Sequence, residues 1–101
     1  MLGIQEEISA VVEVLEASGV TLGFPYSSKV NASDYDHMRE LRVQHKGDPY
    51  RILYAFDPRR MAILLIGGNK SGDDRWYKKY VPVADKLYRK HLEEIDQEKG
   101  A

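Results

Sequence analysis

The 101 residues fit one domain, and a content of 43% hydrophobic and 31% charged residues is typical of a soluble globular protein. The absence of cysteine excludes a disulfide, a thiolate nucleophile and a zinc–thiolate site. No apolar run approaches the ~20 residues that span a bilayer, so we expect a cytoplasmic protein without membrane contact. The formal net charge of −1 argues by itself against a nucleic-acid-binding protein.

The charges are unevenly distributed along the chain. Residues 1–28 contain four glutamates and no lysine or arginine, and residues 92–101 are also acidic. Residues 29–91 contain 14 lysines and arginines against 8 aspartates and glutamates. Salt limits the range of electrostatic interactions to about 8–10 Å under physiological conditions. A cationic central region can therefore still bind phosphates although the chain as a whole is slightly acidic. The alternative is that these charged faces are simply solvated.

The N-terminal segment 1–18 has the pattern of an amphipathic helix. Its apolar residues recur at helical spacing: Ile4, Ile8, Val11, Val12 and Leu15. Gly19 predicts the end of the helix, and residues 21–32 are predicted to be a connecting loop.

Three antiparallel strands are predicted between residues 38 and 68. The first two, Met38–His45 and Tyr50–Asp57, flank Lys46–Pro49, whose Gly-Asp centre is a hairpin signal. This hairpin is expected to place His45 opposite Tyr50.

The second turn, Asp57–Arg60, has a proline that pre-sets φ at its second position. We expect this turn to pair Phe56 with Met61. Ile52 then falls opposite Leu65 in the third strand.

Side chains alternate between the two faces of a strand, so this register assigns each residue to a face. One face is the predicted core: Leu41, Val43, Ile52, Tyr54, Phe56, Met61, Ile63 and Leu65. The second face is cationic at one end and apolar at the other: Arg42, Gln44 and Arg51, then Leu53, Ala55, Ala62 and Leu64. Lys70 follows the third strand near the cationic end.

A C-terminal helical segment is predicted over residues 73–97, with a kink or restart at Pro82, which cannot donate a helical hydrogen bond. Its predicted apolar stripe is Trp76, Tyr80, Val83, Leu87, His91 and Ile95. Both helices are expected to pack on the core face. The result is a single-domain α+β fold, with helices on one face of a small antiparallel sheet.

Four short segments, taken together in this order and spacing, carry a family resemblance. They are Glu40-Leu41-Arg42, Tyr50-Arg51-Ile52-Leu53-Tyr54, Leu65-Ile66-Gly67-Gly68-Asn69-Lys70 and Arg75-Trp76-Tyr77. The chain resembles the RelE/ParE superfamily of toxins from bacterial toxin–antitoxin modules, and more narrowly the phage-derived, HigB-like branch. The similarity covers about Gly19–Leu92.

The resemblance implies a RelE-like fold. This sequence is expected to lack the N-terminal strand of that fold. A missing edge strand leaves an unpaired sheet edge, so a homodimer is possible. The implied activity is that of a ribosome-dependent mRNA endonuclease. The implied partners are the ribosome, mRNA and a cognate antitoxin, often a small helix-turn-helix protein.

The resemblance also implies roles for individual residues. In RNA cleavage of this type the 2′-OH attacks the adjacent phosphorus, and guanidinium groups suit the stabilisation of the phosphorane. By motif position, the predicted catalytic residues are Arg51, Lys70 and Tyr77. The predicted RNA-binding residues are Arg42, Arg75, Trp76 and His45, and His45 is also the histidine expected nearest to Arg51.

Structural interpretations stand beside these roles. Arg51 could pair with a carboxylate such as Asp48, Trp76 could belong to the core, and Lys70 could be a solvated loop residue. No set of His, Asp and Glu has metal-ligand spacing, so neither a metal nor another cofactor is expected.

Two other functions stay open at this point. One is a non-nuclease toxin similar to ParE-type toxins, which inhibit gyrase by protein contact, and for which Arg51 and Lys70 are dispensable. The other is an inactive remnant that only binds its antitoxin. The apolar end of the second sheet face suits antitoxin docking in every case.

Overall fold

The computed structural model describes residues 3–100, with side chains described for residues 3–98. Its elements in chain order are α1 (Ile4–Ser18), a 3₁₀ turn (Gly19–Thr21), β1 (Ser27–Lys29), β2 (Arg39–His45), β3 (Asp48–Phe56), β4 (Ala62–Asn69) and α2 (Trp76–Gly100). The strands form one antiparallel sheet in the order β1-β2-β3-β4. The predicted α+β class is confirmed, and β1 adds a short fourth strand to the three expected.

The first helix follows the predicted apolar spacing. Leu15 is buried, and Val11 and Val12 pack beside it. Gly19 ends α1 with φ of 59°, a conformation that glycine adopts at little cost. Residues 1 and 2 of the predicted helix lie outside the described residues. None of the helices that are described is long and apolar enough to cross a membrane.

The β2–β3 hairpin is tighter than expected. Lys46 and Gly47 form a two-residue turn, both with positive φ (50° and 83°), and His45 pairs with Asp48. The predicted pairing of His45 with Tyr50 is therefore wrong by two residues. The turn centre is therefore Lys-Gly rather than Gly-Asp, and positive φ at both central positions is characteristic of a type I′ turn. A shift of two residues leaves every side chain on its predicted face.

The β3–β4 pairing differs from the prediction by one residue near the turn and by two beyond it. Phe56 pairs with Ala62 rather than Met61, and Ile52 pairs with Gly67 rather than Leu65. An extra residue in β4, Leu65, forms a bulge opposite Leu53 and Tyr54 and accounts for the change in offset.

The one-residue offset near the turn changes which side chains around the start of β4 face the core. A one-residue slip moves a side chain to the other face. Met61, predicted to be in the core, is accordingly 55% exposed. Ile63 pairs with Ala55 and so lies on the face opposite to the one predicted.

The two helices cover opposite faces of the sheet, so the expectation that both pack on one face is wrong. Buried Leu41 and Tyr54 pack against α1, whereas buried Leu53 and Ala55 pack against α2. The central strand β3 is apolar on both faces, as expected for a strand that is covered on both sides. Leu53 and Ala55, predicted to belong to an antitoxin-docking patch, are therefore covered by this chain's own helix.

The C-terminal helix runs as one segment from Trp76 through Pro82, without the predicted restart. Its buried apolar and aromatic side chains are Trp76, Val81, Ala84, Tyr88 and Ile95. Val83 and Leu87, assigned to the apolar stripe from the sequence, are each 40% exposed. The observed stripe includes the small residue Ala84 in place of these larger neighbours.

The described sheet has β1 and β4 at its edges. β1 pairs only with Arg39–Leu41, although one further hydrogen bond joins the Arg42 amide to the Tyr26 carbonyl at 2.8 Å. The lack of the family's N-terminal strand and the homodimer both stay predictions.

The β3–β4 turn is held by the buried carboxylate of Asp57. Its oxygens accept hydrogen bonds from the amides of Arg59 and Met61, from the Arg59 guanidinium and from His91 Nε2, at 2.8–3.2 Å. Burial acts to raise the pKa of Asp57, but these hydrogen bonds outweigh it and lower the pKa from 3.8 to about 2. The ionised carboxylate therefore stabilises the fold.

We expect Asp57→Asn to lower the free energy of unfolding by about 2 kcal/mol at pH 7, because charge-assisted hydrogen bonds are lost. A carboxyl whose pKa is lower in the folded state stabilises the fold above its unfolded pKa of 3.8. This stabilisation is lost as the pH falls towards about 2. Urea unfolding across this range should show the difference between the two proteins shrinking in acid. A difference that does not depend on pH would contradict the account.

Candidate active site

A buried carboxylate, Glu40 on β2, lies at the centre of the candidate site and is 5% exposed. Tyr77 at the start of α2 donates its hydroxyl to Glu40 Oε1 at 2.5 Å. Ser28 on β1 donates its hydroxyl to Glu40 Oε2 at 2.7 Å. Elements distant in sequence therefore converge on one side chain.

Two arginines flank this carboxylate. Arg42 and Arg51 are direct partners across β2 and β3, on the face that also carries Glu40. Arg51 Nε lies 3.5 Å from Glu40 Oε1, and Arg42 Nη1 lies 3.6 Å from Glu40 Oε2. Two like charges directly opposite each other destabilise a sheet, so the shared carboxylate offsets their repulsion.

The Arg51 guanidinium is held in place, but not all of its nitrogens have hydrogen-bond partners. The residue is 5% exposed, and Nη1 donates to the Tyr50 carbonyl at 2.9 Å. Arg51 Nε is buried and has no hydrogen-bond partner among the described residues. Buried polar groups are rarely left unpaired, and the carboxylate oxygen nearest to this nitrogen is Glu40 Oε1, at 3.5 Å.

Lys70 joins the cluster through the aromatic ring of Tyr77. Its Nζ lies 5.2 Å from the ring centroid, a cation–π contact, and its amide donates to the Pro49 carbonyl at 2.9 Å. The preceding Gly67 allows close strand packing, because a Cβ there would lie only 3.0 Å from Ile52 Cγ1 and 3.1 Å from the Arg51 carbonyl oxygen.

The environment of Tyr77 keeps its hydroxyl protonated. Burial raises the pKa of Tyr77, and the hydrogen bond and negative charge of Glu40 raise it further, while Arg51 acts in the opposite direction. At neutral pH this side chain is therefore a proton donor and not a base.

Four of the seven residues predicted from the sequence meet in this cluster: Arg42, Arg51, Lys70 and Tyr77. The other three lie elsewhere. Trp76 is 2% exposed in the core, and Arg75 occupies an exposed position just before α2. His45 lies on the opposite face of the sheet from Arg51, where its Nδ1 is 2.8 Å from Glu7 Oε2 on α1.

Glu40 is the residue that sequence reasoning missed. It lies two positions before Arg42, so strand alternation alone places the two on one face. The sequence feature that could have identified Glu40 is a carboxylate on the predicted cationic face. Glu40, and not Asp48, is the carboxylate beside Arg51.

The cluster opens to the surface through two clefts. One, of about 290 Å³, is lined by Glu40 and Tyr77 together with the loop that follows β1. The other, of about 460 Å³, is lined by Arg42, Arg51 and the loop that precedes β1. Within residues 3–98, no group of three or more His, Asp or Glu side chains is arranged to hold a metal ion.

Comparisons with known proteins bear on these motifs. Residues 2–89 match the family described as "Phage derived protein Gp49-like". A curated relative from Mycobacterium tuberculosis, "Putative toxin HigB3", is 48% identical over 79 residues, which cover 77% of this chain and 68% of the relative. A second relative from the same organism, "Putative toxin HigB2", is 41% identical over 96 residues, which cover 93% of this chain and 48% of the relative.

The chain thus spans about half the length of the second relative. No solved structure gives a significant match. The chain belongs to the Gp49-like family of phage-derived proteins, and this membership, with its two HigB relatives, confirms the HigB-like resemblance in its motifs.

Proposed function

We propose that this protein is the toxin of a toxin–antitoxin module and that it cleaves mRNA on the ribosome, in the cytoplasm. The observation that carries the proposal is the cluster of Arg42, Arg51, Lys70 and Tyr77 around buried Glu40. Family membership and the two relatives named as HigB toxins support the toxin assignment.

The charges of the cluster suit a scissile phosphate. Three cations against one carboxylate leave a net positive site, and preorganised charge usually contributes more to enzyme catalysis than any other single effect. Arg51 is fixed by Glu40 and by the Tyr50 carbonyl, so its orientation costs little when RNA binds. The Arg51 guanidinium suits donation to a phosphorane oxygen, and Lys70 adds a second positive charge.

The same cluster can supply the proton transfers of a metal-independent cleavage. The 2′-oxygen bonds to phosphorus and the bond from phosphorus to the 5′-oxygen breaks, which leaves a 2′,3′-cyclic phosphate. In this mechanism Glu40 takes the proton from the 2′-OH, and Tyr77 gives its proton to the leaving oxygen. The 2.5 Å hydrogen bond between Tyr77 and Glu40 then returns the proton to Tyr77 and resets the site.

The toxin is proposed to be neutralised by a cognate antitoxin, a small helix-turn-helix protein. An antitoxin can act by covering the two clefts or by displacing the side chains around Glu40. The predicted docking patch does not form one surface, because Leu53 and Ala55 are covered by α2, whereas Leu64 pairs with Tyr54 on the face that packs against α1 and is 45% exposed.

We expect Tyr77→Phe to slow mRNA cleavage by about a hundredfold, because the ring remains but the proton donor is lost. The matched control is Tyr80→Phe on the same helix, which packs beside Trp76 with ring centroids 5.1 Å apart. The measurement is the rate of cleavage of a defined mRNA on purified translating ribosomes. Equal rates for Tyr77→Phe and the control would remove Tyr77 from the mechanism.

A further inference from the structure

Two exposed aromatic rings lie beside the proposed active site. Phe24 is 76% exposed and Tyr26 is 45% exposed, in the loop between the 3₁₀ turn and β1. Neighbouring exposed apolar side chains of this size often mark a binding surface. The exposed fraction of Phe24 shows that the described part of the chain leaves most of its ring uncovered.

The backbone of the loop that carries the two rings is fixed to the sheet. The amides of Tyr26 and Ser27 both donate to the Gly23 carbonyl at 3.1 Å. The Tyr26 carbonyl accepts a hydrogen bond from the Arg42 amide on β2 at 2.8 Å. Because the backbone of this loop is already ordered, the loop loses little conformational freedom when a ligand binds.

The rings and the proposed catalytic cations line one cleft. Arg42 Cζ lies 5.1 Å from the centroid of the Phe24 ring, a cation–π contact. The cleft of about 460 Å³ is lined by Phe24 and Tyr26 and also by Arg42 and Arg51. The cleft therefore brings the exposed rings together with two arginines of the proposed catalytic cluster.

A nucleotide has the chemistry that this cleft recognises. Its base presents a flat π face for an aromatic ring, and its phosphate suits two guanidinium groups. Glu7 also lines the cleft, but its carboxylate is already paired with His45 at 2.8 Å. A protein partner could also bind exposed rings, but two arginines in the same cleft favour RNA.

We propose that Phe24 stacks on a base of the mRNA next to the scissile phosphate, with Tyr26 bordering the same base site. This inference rests on the proposed function and adds to it a binding site for the flanking nucleotide. Arg42, in contact with Phe24, links that base site to the proposed catalytic cluster. Since every base has a π face, stacking supplies affinity with little sequence preference.

The test compares single-turnover cleavage of ribosome-bound mRNA by three variants. Phe24→Leu keeps an apolar side chain but loses the π face, and should reduce cleavage efficiency by roughly ten- to a hundredfold. Phe24→Trp restores a stacking ring and should cleave as the wild type does. Val20→Ala is the matched control, because Val20 is 62% exposed and does not line the cleft.

A second readout reports stacking itself. An mRNA with a 2′-O-methyl group at the cleavage position cannot react, and 2-aminopurine at the adjacent position loses fluorescence when it stacks. Quenching by the wild type and by Phe24→Trp, but not by Phe24→Leu, is the expected result.

The outcomes separate this inference from the function on which it rests. If the wild type cleaves and Phe24→Leu cleaves equally fast, the inference fails and the proposed function stands. If Phe24→Leu keeps its cleavage but loses antitoxin binding, the rings are a protein-docking surface and the inference is overturned. If the folded wild type never cleaves, the proposed function and this inference fail together.

Discussion

Arg51→Lys is expected to lower mRNA cleavage by about a hundred- to a thousandfold while the protein stays folded. Removing one preorganised donor to a developing oxyanion costs this much in other enzymes. Lysine keeps a positive charge near Glu40, so the buried carboxylate is still compensated. Lysine lacks the planar guanidinium group, whose Nη1 donates to the Tyr50 carbonyl while its Nε lies buried.

Lysine is the informative substitution here because alanine also disturbs the fold. Arg51→Ala removes one ion-pair partner of the buried Glu40 carboxylate. Breaking a buried ion pair in this way lowers the free energy of unfolding by about 3–5 kcal/mol. The matched control is Arg89→Lys on α2, where the arginine is half exposed and lies 3.6 Å from Asp34. Cleavage by Arg51→Lys at the wild-type rate would show that this guanidinium is structural only.

Trp76→Ala is expected to lower the free energy of unfolding by about 3–5 kcal/mol, because a large buried side chain is removed from the core. Trp76 is 2% exposed and packs beside Tyr77 and Tyr80, with ring centroids 5.3 and 5.1 Å away. A loss of this size is a large part of the ~5–15 kcal/mol that stabilises a typical domain. Urea unfolding followed by circular dichroism measures it directly.

The family motif predicts that the same residue binds RNA, and Trp76→Leu separates the two roles. Leucine keeps apolar volume in the core and removes the stacking ring. If Trp76 is a core residue, this variant is less stable but cleaves mRNA normally once folded. A variant that folds with near wild-type stability and fails to cleave would assign Trp76 to RNA binding instead.

The fold was predictable where one local pattern acts alone. The apolar spacing of α1 and the alternation along β2 and β3 placed Leu41, Tyr54 and Arg51 on their observed faces. The pairing of β4 was not predictable, because neither the extra residue in the turn after Phe56 nor the bulge opposite Leu53 leaves a mark in the sequence pattern. The placement of α2 was not predictable, because the apolar residues Leu53 and Ala55 fit an exposed docking patch as well as a second core face.

The cations of the site were predictable from the sequence, but the carboxylate at its centre was not predicted. Arg42 and Arg51 lie together because strand alternation requires it, and the register error of two residues preserved their face. Lys70 and Tyr77 were placed by family resemblance alone. Glu40 was passed over although alternation places it beside Arg42, and His45 was grouped with Arg51 although its odd spacing from Arg42 puts it on the opposite face.

The central claim is that the cluster around Glu40 is a metal-independent ribonuclease site, and the chemistry of the cut ends tests it most directly. Defined mRNA on translating ribosomes is cleaved in EDTA-free buffer with the ribosomes kept intact, and the new 3′ ends are analysed. The account predicts cuts at A-site codons that end in 2′,3′-cyclic phosphate, and their loss with Arg51→Lys and Tyr77→Phe. Cuts with 3′-hydroxyl ends, or cuts that survive both substitutions, would contradict it.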